Sequence, residues 1–250
     1  MLEARAVSLR QPAYLERVSA ALPEGALSVI LGPNGAGKST LLHLLGGAIR
    51  PLSGAIWLDQ QPLPALSAAQ LAQHRALVEQ QPARPAGMAV ATLLTIGVAG
   101  SNPGARQQAI DYTCIHDLLQ RDCATLSGGE LARVHLARAL HQLLASPAAA
   151  RYLLLDEPTA ALDIGAANLQ LSSLRQIARQ HGIGVIAVLH DVNLAVQHAD
   201  HVLLLKNGTA MACGSAEQVL QLPMLQALYE SPLRELRDAS GCRAFIATQA

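Results

Sequence analysis

The sequence is poor in aromatic residues: one Trp, one Phe and four Tyr, 2% of 250 positions. So few rings leave little for nucleic-acid bases to stack on. Charge is missing as a signal too. Lys+Arg and Asp+Glu balance at 18 each, without the basic clustering that marks a DNA- or RNA-binding surface. No nucleic-acid partner is expected. Cysteine is scarce, and Cys114, Cys123, Cys213 and Cys242 form no C-x-x-C pair and no zinc-spaced set with His. They read as free thiols of a reducing compartment. Long apolar runs are also lacking. Apolar residues make up 51% of the chain, yet no window reaches the roughly 18–20 a membrane-spanning helix needs. Glu3 and Arg5 interrupt the place where a signal peptide would be apolar. The expectation is a cytosolic chain with a sizeable core, able to sit against a membrane component.

What is present is an alternation of short apolar runs with longer amphipathic ones, the pattern of an α/β protein with a mostly parallel sheet. Ala26–Leu31 reads as a buried strand, followed by a Gly-rich loop and a helix over about 39–48. Gly54–Leu58 and Arg75–Val78 read as strands. Between Pro82 and Ser146 helical periodicity takes over and no strand is evident, which suggests a helical insertion in the α/β core. Tyr152–Leu155 and Gly184–Leu189 return to buried strands, separated by a helix over Gly165–His181. Asn207-Gly208 between apolar runs predicts a two-residue hairpin. Beyond Pro223 a short helix precedes "CRAFIAT", which reads as an edge strand.

"GPNGAGKST" fits G-x-x-x-x-G-K-[ST] in the strand–loop–helix context the motif requires. The loop Gly32, Pro33, Asn34, Gly35, Ala36, Gly37 would turn backbone N–H groups toward phosphate oxygens at a helix N-terminus. Lys38 would reach the β and γ phosphates, Ser39 would hold Mg²⁺, and Thr40 would add a phosphate contact. "YLLLDEP" then sets two carboxylates at the end of a buried strand. Asp156 suits a Mg²⁺ ligand, and Glu157 could orient or deprotonate an attacking water. In "AVLHDVN", His190 stands at the tip of another buried strand, at the same sheet edge, in reach of a γ phosphate.

A second stretch, "TLSGGELARVHLARAL", opens a periodic helix. Ser127 and Glu130 make a capping box. That accounts for neither Gly128 nor Gly129, since glycine in a first turn costs about 0.5–1 kcal/mol relative to alanine. Glycines there suit a backbone that must come close to an anion. One nucleotide needs only one complete phosphate loop, so this element should serve a phosphate held elsewhere or by another copy.

"LSGGE", placed before "YLLLDEPTAALD" and after "GPNGAGKST", resembles the ATP-binding subunit of ABC transporters over essentially the whole chain. The resemblance implies a RecA-like α/β core with a mostly parallel sheet over 1–84 and 146–225. It adds an N-terminal antiparallel β region, a helical subdomain over 85–145 and a short C-terminal extension over 226–250. It implies an ATPase with Mg²⁺, working as a head-to-tail homodimer in which Ser127 and Gly129 of one copy meet the nucleotide of the other. It further implies Asp163 as the D-loop residue at the nucleotide. Gln80, in preference to Gln81, would end its strand, sense Mg²⁺ and couple to the permease. The aromatic residue on which that family stacks adenine is replaced by Leu9, with Tyr14 as a substitute. "RDCATLSGGELARVHLARAL", "VLHDVNLAVQHADHVLLL" and "ACGSAEQVL" are most similar to ATPases of bacterial heme importers, in the group that also carries ferric siderophores and cobalamin. This implies a separate permease dimer, a periplasmic heme-binding protein reached only through it, and a place on the cytoplasmic face of the inner membrane. No direct heme contact is implied, and His43, His74 and His116 have no feature of heme ligands. A soluble ABC ATPase of translation or DNA repair would fuse two halves or carry a coiled coil or basic arm, and neither is in the sequence.

Overall fold

The computed structural model describes residues 1–99, 102–160, 162–239 and 241–248. Twelve strands are described: β1 (Leu2–Leu9), β2 (Leu15–Leu22), β3 (Leu27–Leu31), β4 (Ser53–Leu58), β5 (Gln61–Pro62), β6 (Arg75–Val78), β7 (Tyr152–Asp156), β8 (Gly184–Val188), β9 (His201–Lys206), β10 (Thr209–Ser215), β11 (Leu233–Arg237) and β12 (Arg243–Ala247). Among them run the helices α1 (Lys38–Leu45), α2 (Ala68–His74), α3 (Val90–Leu93), α4 (Pro103–Thr113), α5 (Gly128–Leu144), α6 (Ile164–His181), α7 (Val192–His198), α8 (Ala216–Val219) and α9 (Leu222–Tyr229).

The main sheet has the order β10-β9-β3-β8-β7-β6. All its pairings are parallel except the β9–β10 hairpin. β3, β7 and β8 are buried at every position, which is why they read as unbroken apolar runs rather than alternating ones. Alternation survives in where the side chains go. Leu27, Val29 and Leu31 face one core with Leu153, Leu155, Val185 and Ala187. Ile30 faces the opposite core with Tyr152, Leu154, Ile186 and Val188. A second sheet, β2-β1-β4-β5, is antiparallel throughout and contributes Leu2, Ala4, Val7, Leu15 and Val18 to that second core. A third core joins Val90, Leu94, Ile110 and Ile115 to Leu131, Val134 and Ala137, all within the segment expected to be helical.

Asn207 and Gly208 both have positive φ, 48° and 75°, as a two-residue hairpin turn requires. Three boundaries differ from expectation. The helix after the phosphate loop stops at Leu45, because Gly46 and Gly47, the latter at φ 67°, end it before Ala48. The β6 strand stops at Val78, as its apolar run suggests, so Gln80 lies in the loop beyond it and does not end the strand as the resemblance implies. "CRAFIAT" does not edge the main sheet: β12 pairs antiparallel with β11 in a separate hairpin packed against α7. All four cysteines are free, with Cys123 buried.

Candidate functional site

β3 delivers the chain into the phosphate loop, and the glycines there meet three different demands. A Cβ on Gly32 would lie 2.0 Å from the Leu205 carbonyl oxygen. Gly37 sits at φ 96°, where a Cβ would also press on Leu15 at 2.7 Å. Gly35, at φ 77°, has nothing within 4 Å, so its demand is conformational alone. Gly37 is also the N-cap of α1, and no side chain caps that end. The first N–H groups of α1 are therefore left for a ligand to satisfy. Pro33 and Asn34 lie on the open side of the loop, while Ala36 and Thr40 are buried.

Lys38 is 6% exposed, and its ammonium donates to the carbonyls of Gly32 at 2.9 Å and Pro33 at 3.0 Å. Burial pushes its pKa down, opposed by the negative charges of Glu157 and Asp156. The Ser39 hydroxyl donates to Asp156 Oδ1 at 2.9 Å. Asp156 closes β7 at 7% exposure, and burial raises its carboxyl above the usual range while the Ser39 bond pulls it down. One residue later Glu157 adopts φ 49°, a left-handed conformation unusual for a residue with a side chain. Such a conformation costs on the order of 1–3 kcal/mol and tends to gather at functional sites. Gln80 Nε2 donates to Glu157 Oε2 at 2.6 Å, and His190 Nε2 pairs with Glu157 Oε1. Gln80, Glu157 and His190 thus come from the carboxyl ends of three neighbouring parallel strands, β6, β7 and β8, where open α/β sheets take ligands.

Residues 15–160 match the family model of the ABC transporter. The chain belongs to that family. The hemin import ATP-binding protein HmuV of Hahella chejuensis is 38% identical over 244 residues, covering 94% of this chain and 95% of that protein. The protein of the same name from Escherichia coli O157:H7 is 37% identical over 235 residues, 92% of each. Among solved structures, a metal-chelate type ABC transporter in an inward-facing conformation has a TM-score of 0.80 at 26% identity, over 99% of this chain and 97% of that one.

The remaining ABC motif residues stand apart from the phosphate loop. Ser127 caps α5: its hydroxyl accepts from Glu130 N at 3.2 Å, while Glu130 Oε2 accepts from Ser127 N at 2.7 Å. Gly128 and Gly129 follow it without a positive φ, and a Cβ added to either would meet nothing within 4 Å. Neither the backbone nor the packing of this chain requires glycine there. Both line a cleft of about 280 Å³ with Gln80, Asp156 and Glu157. Asp163 caps α6 through Ala166 N at 2.8 Å. No described hydrogen bond ties residues 127–129 or Asp163 to residues 32–40.

Leu9 is half-buried against the second core. Tyr14 is 54% exposed, and its carbonyl oxygen lies 3.5 Å from where a Gly37 Cβ would be, so the tyrosine stands beside the loop. Its hydroxyl donates to Glu16 Oε2 at 2.7 Å.

Two contributors escaped the sequence reading. His43 lies one helical turn beyond Ser39 on α1, and its charge lowers the Asp156 carboxyl. Its i, i+4 spacing from Ser39 was the available signal. Arg84 donates to the carbonyls of Leu126 and Ala124, joining the Gln80 loop to the residue before Ser127. Nothing local in the sequence announces a contact across that separation.

Proposed function

We propose that this chain is the ATP-hydrolysing subunit of a hemin importer. The observation that carries the hydrolytic reading is the meeting of Lys38, Ser39, Asp156, Glu157, Gln80 and His190 at one sheet edge beside an uncapped helix N-terminus. The loop N–H groups and Lys38 bind the phosphates of ATP. The hard oxygens of Ser39 and Asp156, already 2.9 Å apart, suit Mg²⁺, with the Gln80 amide the third candidate. When bound, that ion would neutralise charge on the β and γ oxygens. Glu157 takes the proton of the attacking water. His190 holds the carboxylate in place and lies within reach of the γ phosphate. Tyr14, exposed beside the loop, is the stacking surface for adenine in place of Leu9.

The open space around Gly128 and Gly129 supports a two-chain site. A glycine that nothing in its own chain requires fits a backbone that must admit something from outside it. In this reading two copies pair head to tail, Ser127 and Gly129 of each reach the γ phosphate held by the other, and Asp163 lies along the seam. The chain divides functionally into a core over 1–84 and 146–225, a helical subdomain over 85–145 and an extension over 226–250, the cleft at Gln80 lying between the first two. No helix of the described residues is long and apolar enough to cross a membrane. In keeping with its likeness to import ATP-binding proteins, a separate permease dimer, with this subunit on its cytoplasmic face, completes the transporter. A periplasmic binding protein delivers cargo through the permease, and hemin never touches this subunit.

The hemin cargo rests on relatives at 37–38% identity over nearly the whole chain. The test is to co-purify the subunit with its permease in proteoliposomes and measure ATP hydrolysis and uptake with hemin, cobalamin or a ferric siderophore on its binding protein. Stimulation by hemin alone is the expected result. Stimulation by another chelate would replace the cargo and leave the ATPase intact, and a Lys38→Ala subunit that still binds ATP normally would overturn the nucleotide site.

A further inference from the structure

His190 is tied to the far end of the chain. Its side chain is 44% exposed, and its described contact is the one to Glu157. Its position is therefore set by the backbone on either side of it: Leu189 N, just before, donates to the Ile30 carbonyl at 3.2 Å, and α7 begins two residues after. Asp191 caps α7 there, accepting from Asn193 N at 2.7 Å and Leu194 N at 3.2 Å. The helix start is thereby satisfied without the Asn193 side chain, and that side chain turns elsewhere. Its Nδ2 donates to the Phe245 carbonyl at 3.1 Å, and its Oδ1 accepts from Phe245 N at 2.7 Å.

A primary amide sets an N–H donor beside a carbonyl acceptor, as a peptide group does. Asn193 therefore adds a single rung to the outer edge of β12, whose inner edge pairs Phe245 with Glu235 of β11. The Phe245 ring, 6% exposed, is sunk in the larger core. Arg243 fastens the hairpin again, donating to the Leu220 carbonyl at 2.6 Å and to Glu235 at 2.9 Å. Tyr229 of α9 packs against the same core: burial first, then the charge of Asp191, pushes its phenol up to about 12. Asp191 and Asn193, the first and third residues after His190, are thus both engaged by the C-terminal elements.

We propose that the C-terminal hairpin sets the position of His190 against Glu157, with Asn193 as the positioning residue that transmits it. The inference rests on the reading of Glu157 and His190 as the hydrolytic pair. Misplacing such a pair by about 1 Å can cost on the order of a hundredfold in rate. No described hydrogen bond joins the hairpin to the phosphate loop, so its loss should act on turnover and spare binding.

The test compares Asn193→Ala, Asn193→Asp and Arg243→Ala with the wild-type subunit in steady-state ATP hydrolysis and thermal melting. Asn193→Ala removes both hydrogen bonds, Asn193→Asp keeps only the acceptor, and Arg243→Ala frees the hairpin at its other anchor. The expected result is a kcat about tenfold or more lower in both Ala variants, with KM for ATP within about twofold and Asn193→Asp intermediate. A wild-type kcat in either Ala variant overturns the inference. So does a loss that follows KM, or one that merely tracks a lowered melting temperature. Undiminished hydrolysis by Glu157→Gln would instead overturn the underlying reading, so the two failures are told apart.

Discussion

Replacing Gly129 by alanine should move stability and activity in opposite directions. Gly129 is the second residue of α5, in ordinary helical conformation, and an added methyl meets nothing within 4 Å. Alanine in a helix is favoured over glycine by about 0.5–1 kcal/mol. For a domain of this size, each kcal/mol shifts the melting temperature by roughly 2–4 °C. The nucleotide-free Gly129→Ala subunit should therefore melt about 1–4 °C higher than wild type. If a phosphate on a second copy must approach this backbone, the same methyl stands in its way. A displacement near 1 Å would then lower hydrolysis on the order of a hundredfold. ATP affinity of the isolated monomer should not change, because no described bond links Gly129 to its own phosphate loop. Differential scanning fluorimetry, monomer ATP binding and steady-state hydrolysis together give the readout. Wild-type hydrolysis by Gly129→Ala would refute the two-chain reading. Weakened ATP binding in the monomer would refute it differently, by giving the glycine a role toward its own nucleotide. Gly32→Ala is the contrasting control: its methyl would strike the Leu205 carbonyl at 2.0 Å, so it should lose both stability and ATP binding.

Glu157→Gln should bind ATP, stop turning it over and accumulate as an ATP-bound dimer on size-exclusion chromatography; a monomer that still hydrolyses would refute its role as base. Asp156→Asn should raise the melting temperature of the nucleotide-free protein near neutral pH while hydrolysis is lost. Burial raises this carboxyl, so its ionised form is disfavoured in the fold and stability falls as pH climbs from 3.8 through the folded value. The gain should vanish in melts at lower pH, where the wild-type group is protonated. Asp200 behaves in the opposite sense. Burial alone would raise it, but Arg175, Leu27 N and Arg179 together hold it below 3.8. Its contribution is therefore present above that value and lost as pH falls through the folded one. Asp200→Asn should destabilise at pH 7, with the difference from wild type closing in acid melts.

Much of the molecule could be read from local chemistry. The strands at Leu27–Leu31, Tyr152–Asp156 and Gly184–Val188 declare themselves because a parallel strand covered on both faces reads as a nearly unbroken apolar run. The capping box at Ser127 and the Asn207-Gly208 turn follow from two to four consecutive residues and occur as expected. Where local signals competed, tertiary structure decided. "CRAFIAT" has the composition of an edge strand, but its partner is β11 and its outer edge is taken by the Asn193 amide. The family resemblance puts Gln80 at the end of its strand, yet the pairing of β6 with β7 ends at Val78, freeing its side chain for Glu157.

By itself, the sequence determined which groups are candidates for the chemistry: a phosphate loop with Lys38 and Ser39, two carboxylates at a strand end, and a second glycine-rich helix start. Those signals are local, set by residue type and spacing along a few turns of chain. Only the tertiary structure decided which of them meet. It brought Gln80, Glu157 and His190 together at adjacent strand ends, left Gly128 and Gly129 facing open space, and ran the β11–β12 hairpin back to the residue three beyond His190. The reason is physical. Contacts across 50 to 80 residues, such as Asn193 with Phe245 or Gln80 with Glu157, are fixed by strand order and packing, and neither leaves a periodicity in the chain.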